Sequence, residues 1–443
     1  PETSVAGFIQ LPGSGRQVYN FNPGWRFFKG DIHGAESVDF DDRSWTIVST
    51  PHTVELMPAE ASGCRNYQGP AWYRKHFVLP AETKGKRVLI HFEAAMGKQV
   101  LYLNGKRIQE HVGGYLPFTL DLTTNGIQAG DSCLLAIFVD NSNDKSFPPG
   151  KPQYTLDFAY HGGIYRDVWM IAKSPVSITD PLDSQTVAGG GVFVHFDKIS
   201  EKSAQVYVNT ELQNDNQHTE TVTVETTLTD ADGKVIKRTS GKLSLKSGEK
   251  KIIRQQIEVK SPKLWSPDAP YLYKVQSRIK KGNQSIDGGI TRIGIRLAEF
   301  RGKDGFWLNG KPFVQLVGVN RHQDFAYVGN ALPNSQQWRD AKRLRDAGCT
   351  IIRVAHYPQD PSFMDACDEL GMFVIVATPG WQYWNKDVKF GELVHQNTRE
   401  MIRRDRNHPS VLMWEPILNE TRYPLDFALK ALEITKEEFP YPG

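Results

Sequence analysis

Among the 443 residues, the plainest chemistry sits at Asn419-Glu420, directly after the apolar run Val411–Trp414 and Glu415. A carboxyl just past a strand end projects into the pocket that strand ends form. Partly withdrawn from water, it is raised toward the range a general acid needs. The adjacent Asn can hold a sugar hydroxyl. Standing alone, the dipeptide reads more simply as a helix-start Glu favoured by the helix dipole. It does not stand alone, because polar groups follow other apolar runs in the same way: Asn320-Arg321-His322, His356 and Gln382. Trp381, Tyr383 and Trp384 offer either a stacking platform for a sugar face or a loop that packs on its own aromatics. Each histidine reads as a ligand contact or as a hydrogen-bonded packing residue.

These groups need elements to hold them. From Phe300 onward strands and helices alternate four times. Phe313–Val319 is an apolar strand, followed by a helix over Ser335–Ala347 with Trp338, Ala341, Leu344 and Ala347 on one face and Gly348 as its stop. Ile351–Ala355, a helix over Ser362–Leu370 stopped by Gly371, Phe373–Ala377, a helix near Leu393–Arg406, Val411–Trp414 and a helix over Leu425–Phe439 follow. Parallel strands covered by crossover helices are the economical packing of such a pattern. The first strand is not followed by G-x-G-x-x-G, which disfavours a dinucleotide fold. Polar residues at the C-terminal strand ends point to a (β/α)8 TIM barrel, of which about the first four units are present. Arg399, Arg403, Arg404 and Arg406 are expected on an exposed helix face with local ion pairs.

Upstream the pattern is β throughout. Arg87–Phe92, Gln99–Leu103 and Cys133–Val139 read as strands, and Asn104-Gly105 as a hairpin turn that wants φ > 0 at both positions. The stretch from Phe147 to Gly163 reads as a long loop, closed by a strand over Ile164–Ile171. Between Pro175 and about Arg296, Ala204–Leu212, Glu220–Leu228, Lys251–Val259 and Tyr271–Ile279 alternate cleanly. This gives an antiparallel sandwich of immunoglobulin-like size, read as a spacer.

Composition narrows the partners. Fifty-three Lys+Arg against 50 Asp+Glu, without a long basic block, argue against nucleic acid. No apolar run approaches the ~18 residues of a membrane span. The four cysteines are scattered, so neither a zinc site nor a disulfide framework is indicated. The chain opens at Pro1 without Met or a leader, consistent with a mature exported protein or a trimmed one; a periplasmic or secreted location is the expectation.

Three ordered motifs carry a resemblance: Gly318-Val319-Asn320-Arg321-His322; Arg353-Val354-Ala355-His356-Tyr357-Pro358; and Arg404-Asp405-Arg406-Asn407-His408-Pro409-Ser410-Val411 running to Trp414 and Asn419-Glu420. Together they resemble glycoside hydrolase family 2, which holds β-galactosidases and β-glucuronidases, over nearly the whole chain. The resemblance implies a jelly-roll sugar-binding-like domain (1–175), an immunoglobulin-like sandwich (176–297) and the first half of the catalytic barrel (298–443). It implies Glu420 as general acid/base, Asn419 as the contact to the sugar 2-hydroxyl, and His356 and His322 as sugar-contacting histidines. Arg353 would orient rim carboxylates, and Asp157 would reach the bound sugar from the first domain. A loop Asp capping a turn is an equally good reading of Asp157. The substrate so implied is a glycoside or oligosaccharide, a β-galactoside before a β-glucuronide. A carbohydrate-binding protein without turnover, and an inactive fragment, are the other readings. A homo-oligomer is compatible.

Departures from the family pattern also shape expectations. Glu415-Pro416-Ile417-Leu418 stands between the tryptophan and Asn419, and Glu415 can salt-bridge Arg353 or shape specificity. Val376-Ala377 stands where metal-assisted galactosidases carry acids, so neither a metal nor a cofactor is expected. A retaining glycosidase needs a second carboxylate about 5–5.5 Å from the acid/base. The family takes it from the seventh strand. Glu433, Glu437 and Glu438 on the last helix are poor substitutes, so the nucleophile is expected outside these residues, in a longer protein or a paired piece.

Overall fold

The computed structural model describes residues 10–57, 66–156, 158–313 and 315–441. The first unit is a two-sheet β-sandwich. Its six-stranded sheet runs in the spatial order Thr46–Val48, Trp25–Lys29, Pro70–Val78, Ser132–Asp140, Gly97–Leu103, Lys106–Gly113. Gln17–Asn20, Val168–Lys173, Arg87–Phe92 and Phe118–Asp121 form the facing four-stranded sheet. Alternate residues of both sheets meet in a core of Trp25, Tyr73, Ile90, Phe92, Leu101, Leu135 and Ile137. Asn104 and Gly105 both have positive φ and turn the Gly97–Leu103/Lys106–Gly113 hairpin. The closing strand begins at Val168 rather than Ile164. Tyr165 and Arg166 leave the ladder to bond across to Gly114, Tyr115, Gln323 and Pro358, so those residues plug a domain seam.

The second unit pairs Val235–Leu245, Glu220–Thr229, Tyr273–Lys281 and Gln284–Ile293 in one sheet. In the other, Ser203–Asn214 pairs with Val176–Ile178, Val192–Asp197 and Lys250–Lys260. Val206, Val208, Ile257 and Val275 fill the space between them.

The third unit is the α/β one. Its parallel strands are β1 (Gly318–Arg321), β2 (Ile351–Val354), β3 (Phe373–Ala377) and β4 (Val411–Glu415), in sequence order across the sheet. The helices are α1 (Asn334–Asp346), α2 (Pro361–Leu370), α3 (Val388–Asp405) and α4 (Leu425–Glu438). Asp360 caps α2 by accepting from Ser362 N, and Gly371, at φ 72°, ends it. The strands alternate: Ile352, Val354, Val374 and Val376 are buried beneath Trp338, Ala341, Phe363, Met401 and Ile402. Arg353 and Met413 therefore lie on the other, inward face, where Met413 is 44% exposed. The expected strand over Phe313–Val319 is not one strand: Lys311–Pro312 and Gly318–Arg321 pair separately. Phe313 and Leu316 pack instead with Trp265, Phe306 and Phe373 beneath the sheet.

The arginines of α3 are not an exposed face. Arg403 and Arg406 are buried, Arg403 forking onto Glu438 at 2.6 and 3.0 Å. Arg406 donates to the Gly189 and Gly190 carbonyls of the second unit and lies over Phe193. Asn407 behaves like a piece of β-strand, accepting from Val194 N at 2.9 Å and donating to Val192 O at 2.7 Å. The Arg404–Pro409 motif thus docks the sandwich edge onto the barrel. No helix among the described residues is long and apolar enough to cross a membrane.

Candidate active site

The C-terminal strand ends collect the expected side chains. Arg353, inward on β2, reaches across to β4 and donates from Nε and Nη2 to the two Glu415 oxygens at 2.9 and 2.6 Å. This answers the open question about Glu415: it is the salt-bridge partner. Nη2 also donates to Asn419 Oδ1 at 2.9 Å. Glu420 sits at φ 58°, in the left-handed region, and its Oε2 accepts from Gln382 Nε2. Both Asn419 and Glu420 are exposed, not withdrawn from water as the sequence suggests. The reason is visible in β4 itself: it is the sheet edge among the described residues, with Ile417 exposed beyond it.

His356 is buried and stacks on Trp381, with ring centroids 5.2 Å apart and planes 3° from parallel. Burial, reinforced by the charge of Arg353 and by His322, pushes its imidazole down to about 3, so it is neutral at any ordinary pH. His322 stacks on Phe158 at 5.3 Å, its Nδ1 is 3.3 Å from Tyr357 Oη, and its ring lies 6.0 Å from His356. Asp157 lies outside the described residues; its chain neighbour Phe158 brings the first-domain loop against His322 and, at 6.0 Å, His356. Trp381 joins this group. Trp384 does not: it packs with Phe427 at 4.4 Å, Phe390 and Tyr423, the self-packing alternative for that loop.

Two participants escaped the sequence reading. Gln382 is rim-polar by sequence, but its pairing with Glu420 appears only in the structure. Lys151, from the first domain, places its ammonium 4.5 Å from the Trp381 ring centre and 2.5 Å from Gln382 Oε1. Nothing in local spacing signals a contact between residues 231 positions apart. As for metals, Asp365, Asp368 and His408 bring ligand atoms within 4.8 Å of one another. Arg292 pairs there with Asp365 and Glu369; burial lowers His408, but the charge and hydrogen bond of Asp368 together with the charges of Asp365 and Asp405 raise it to about 9. With Arg292 so paired, and His408 Nδ1 2.6 Å from Asp368 Oδ2, these groups are tied to one another as an ion-pair cluster.

Three family models match successive parts of the chain: "Glycosyl hydrolases family 2, sugar binding domain" over residues 35–175, "Glycosyl hydrolases family 2" over 190–296, and "Glycosyl hydrolases family 2, TIM barrel domain" over 300–437. The chain belongs to glycosyl hydrolases family 2. Family-2 relatives include a β-galactosidase of Thermoanaerobacter pseudethanolicus, 36% identical over 95% of this chain and 54% of that protein. A β-glucuronidase of Formosa agariphila is 32% identical over 91% of this chain and 42% of that protein. Among solved structures, Bacteroides uniformis β-glucuronidase superposes with a TM-score of 0.85 at 30% identity, covering 96% of this chain and 52% of that one. The chain thus spans about half the length of these family-2 relatives.

Proposed function

We propose that this chain forms the front half of a retaining, exo-acting β-glycosidase with Glu420 as general acid/base, most directly a β-galactosidase. The observation that carries the reading is the set around Glu420: a carboxyl past the fourth strand, an amide donating to one of its oxygens, and Asn419 pinned by Arg353. In the first step Glu420 protonates the leaving oxygen as the glycosidic bond breaks and the nucleophilic carboxylate bonds the anomeric carbon; in the second Glu420 takes a proton from the water that attacks that carbon and releases the nucleophile. Asn419 donates to a ring hydroxyl, and the neutral His356, together with His322, contacts the non-reducing sugar. Glu415 is engaged with Arg353, Glu438 with Arg403, and Glu433 and Glu437 lie along α4 beside Lys430. The nucleophile is accordingly assigned outside these residues.

Hydrolysis of a panel of aryl β-glycosides by this chain and by the longest natural reading frame containing it tests the proposal. Galactoside turnover by the longer form alone, reduced at least about 100-fold by Glu420→Gln, is expected. Unchanged turnover in that variant would refute the acid/base role. Turnover by the short chain would refute the placement of the nucleophile. Preference for the glucuronide is the second reading, supported by relatives that are β-glucuronidases, among them Bacteroides uniformis β-glucuronidase 2 covalently bound to cyclophellitol-6-carboxylate aziridine.

A further inference from the structure

The first domain does more than cover the barrel. Its loop grips the Trp381–Asn385 segment: Asn385 Nδ2 donates to Lys145 O at 2.7 Å and Tyr383 Oη to the same carbonyl at 3.4 Å, while within the loop Tyr160 Oη donates to Lys151 O at 2.8 Å and holds it in place. Gly150, at φ 74°, lies so close that a Cβ there would sit 2.5 Å from the Tyr383 ring. The grip delivers the Lys151 ammonium to Gln382 Oε1 and to the Trp381 ring. Gln382 is itself held at its backbone, where N donates to Thr421 Oγ1 at 2.9 Å.

A primary amide has a donor end and an acceptor end, and rotation exchanges them. An ammonium has three donors and no acceptor. Lys151 can therefore bond only the oxygen end of Gln382, which forces the NH2 end toward Glu420. The oxygen that receives that N–H, Oε2, serves as the acceptor of the carboxyl group. The acid proton is then favoured on Oε1, the oxygen left for the leaving group.

Resting on the acid/base reading of Glu420, we propose that Lys151 and Gln382 are positioning residues that orient its carboxyl and place its proton on Oε1. The first domain is by this argument a working part of the acid-catalytic step. Without Lys151 the amide is free to present its oxygen to Glu420, which repels the carboxylate and pulls the proton to the wrong oxygen.

Leaving-group dependence separates this role from a structural one. A dinitrophenolate departs without a proton, whereas an alkyl or sugar alkoxide needs one, and kcat/KM of a retaining enzyme reports the step in which it departs. The assay uses the longest natural reading frame, with the 2,4-dinitrophenyl and methyl glycosides of whichever sugar it turns over. Lys151→Met, which keeps the aliphatic stem, is expected to lower kcat/KM for the methyl glycoside about tenfold, and Gln382→Leu about 30-fold. Both are expected to leave the dinitrophenyl glycoside within about twofold, and Lys151→Arg, which still donates, to restore most of the loss. Equal losses on both substrates, or none on either, would overturn the relay. Glu420→Gln is run alongside. If it shows no leaving-group selectivity, the acid/base reading falls and takes the relay with it. If it does and Lys151→Met does not, the relay alone falls.

Discussion

His408 offers a quantitative test of how the barrel's underside is held. Its Nδ1 lies 2.6 Å from Asp368 Oδ2, while Ser410 N donates to Asp368 Oδ1 at 3.0 Å and Trp265 Nε1 to the Asp368 carbonyl at 2.9 Å. Burial alone would depress the imidazole. The charge and hydrogen bond of Asp368, with Asp365 and Asp405 further out, outweigh burial and lift it from 6.5 to about 9. A group raised in the folded state stabilises fully below its unfolded pKa, and that contribution is lost as pH rises through the folded value. At 1.36 kcal/mol per pKa unit this amounts to about 3 kcal/mol at pH 6, about 2 at pH 7.5 and under about 0.5 at pH 9. His408→Asn keeps an N–H near Nδ1 and removes the charge. Guanidinium unfolding of both proteins at pH 6 and pH 9, followed by tryptophan fluorescence, gives two stability gaps. The gap at pH 6 is expected to exceed that at pH 9 by about 2–3 kcal/mol. A gap that is the same at both pH values would mean that His408 is neutral in the fold and that this electrostatic argument is wrong.

Two further expectations follow from the cations at the rim and the seam. Arg353→Met releases Glu415 and Asn419 together and should lower kcat/KM about 100-fold in the active reading frame. Arg353→Lys should not restore it, because one ammonium cannot serve both Glu415 oxygens and Asn419; recovery by Lys would refute the forked role. Arg166→Met strips donors from Tyr115 O, Gln323 Oε1 and Pro358 O at a fully buried seam and should cost about 3–5 kcal/mol in chemical denaturation. A loss below about 1 kcal/mol would show that the seam relaxes around the vacancy.

Much of this fold was legible because periodicity is a local signal. The helices α1, α2 and α4 lie within a residue or so of the spans expected from apolar spacing and glycine stops, while α3 starts five residues before the expected Leu393. The Asn104-Gly105 turn is equally local. Phe313–Val319 misled because an apolar run looks the same whether it pairs as a strand or packs as a plug against Phe306 and Phe373. Arg403 and Arg406 misled for the opposite reason: charged residues read as exposed unless their partners are known, and these partners, Glu438 and the Gly189–Gly190 carbonyls, lie on other elements. Arg353, Glu415, Asn419, His356 and Trp381 were recoverable because each lies on or just after a strand of one sheet. Lys151 was not, since only the docking of two domains brings it there.

The rim also shows why its cations matter although neither is placed to react. Asn419 and Gln382 flank Glu420 in space, and each is an amide whose usefulness depends on which end faces inward. Arg353 donates and cannot accept, so it takes Asn419 by the oxygen and leaves Nδ2 as a donor for a hydroxyl. Lys151 does the same to Gln382 and leaves Nε2 as the donor to Glu420. Two cations thus set the polarity of two amides, one by way of the barrel and one by way of the first domain. Glu415 takes up the charge of Arg353, so the orienting group adds little net field at the acid/base. Lys151 has no ion-pair partner among the described residues, so its orienting effect comes together with its charge. The two amides are therefore expected to respond differently to salt: screening weakens the open ammonium contact well before the partly buried Arg353 fork.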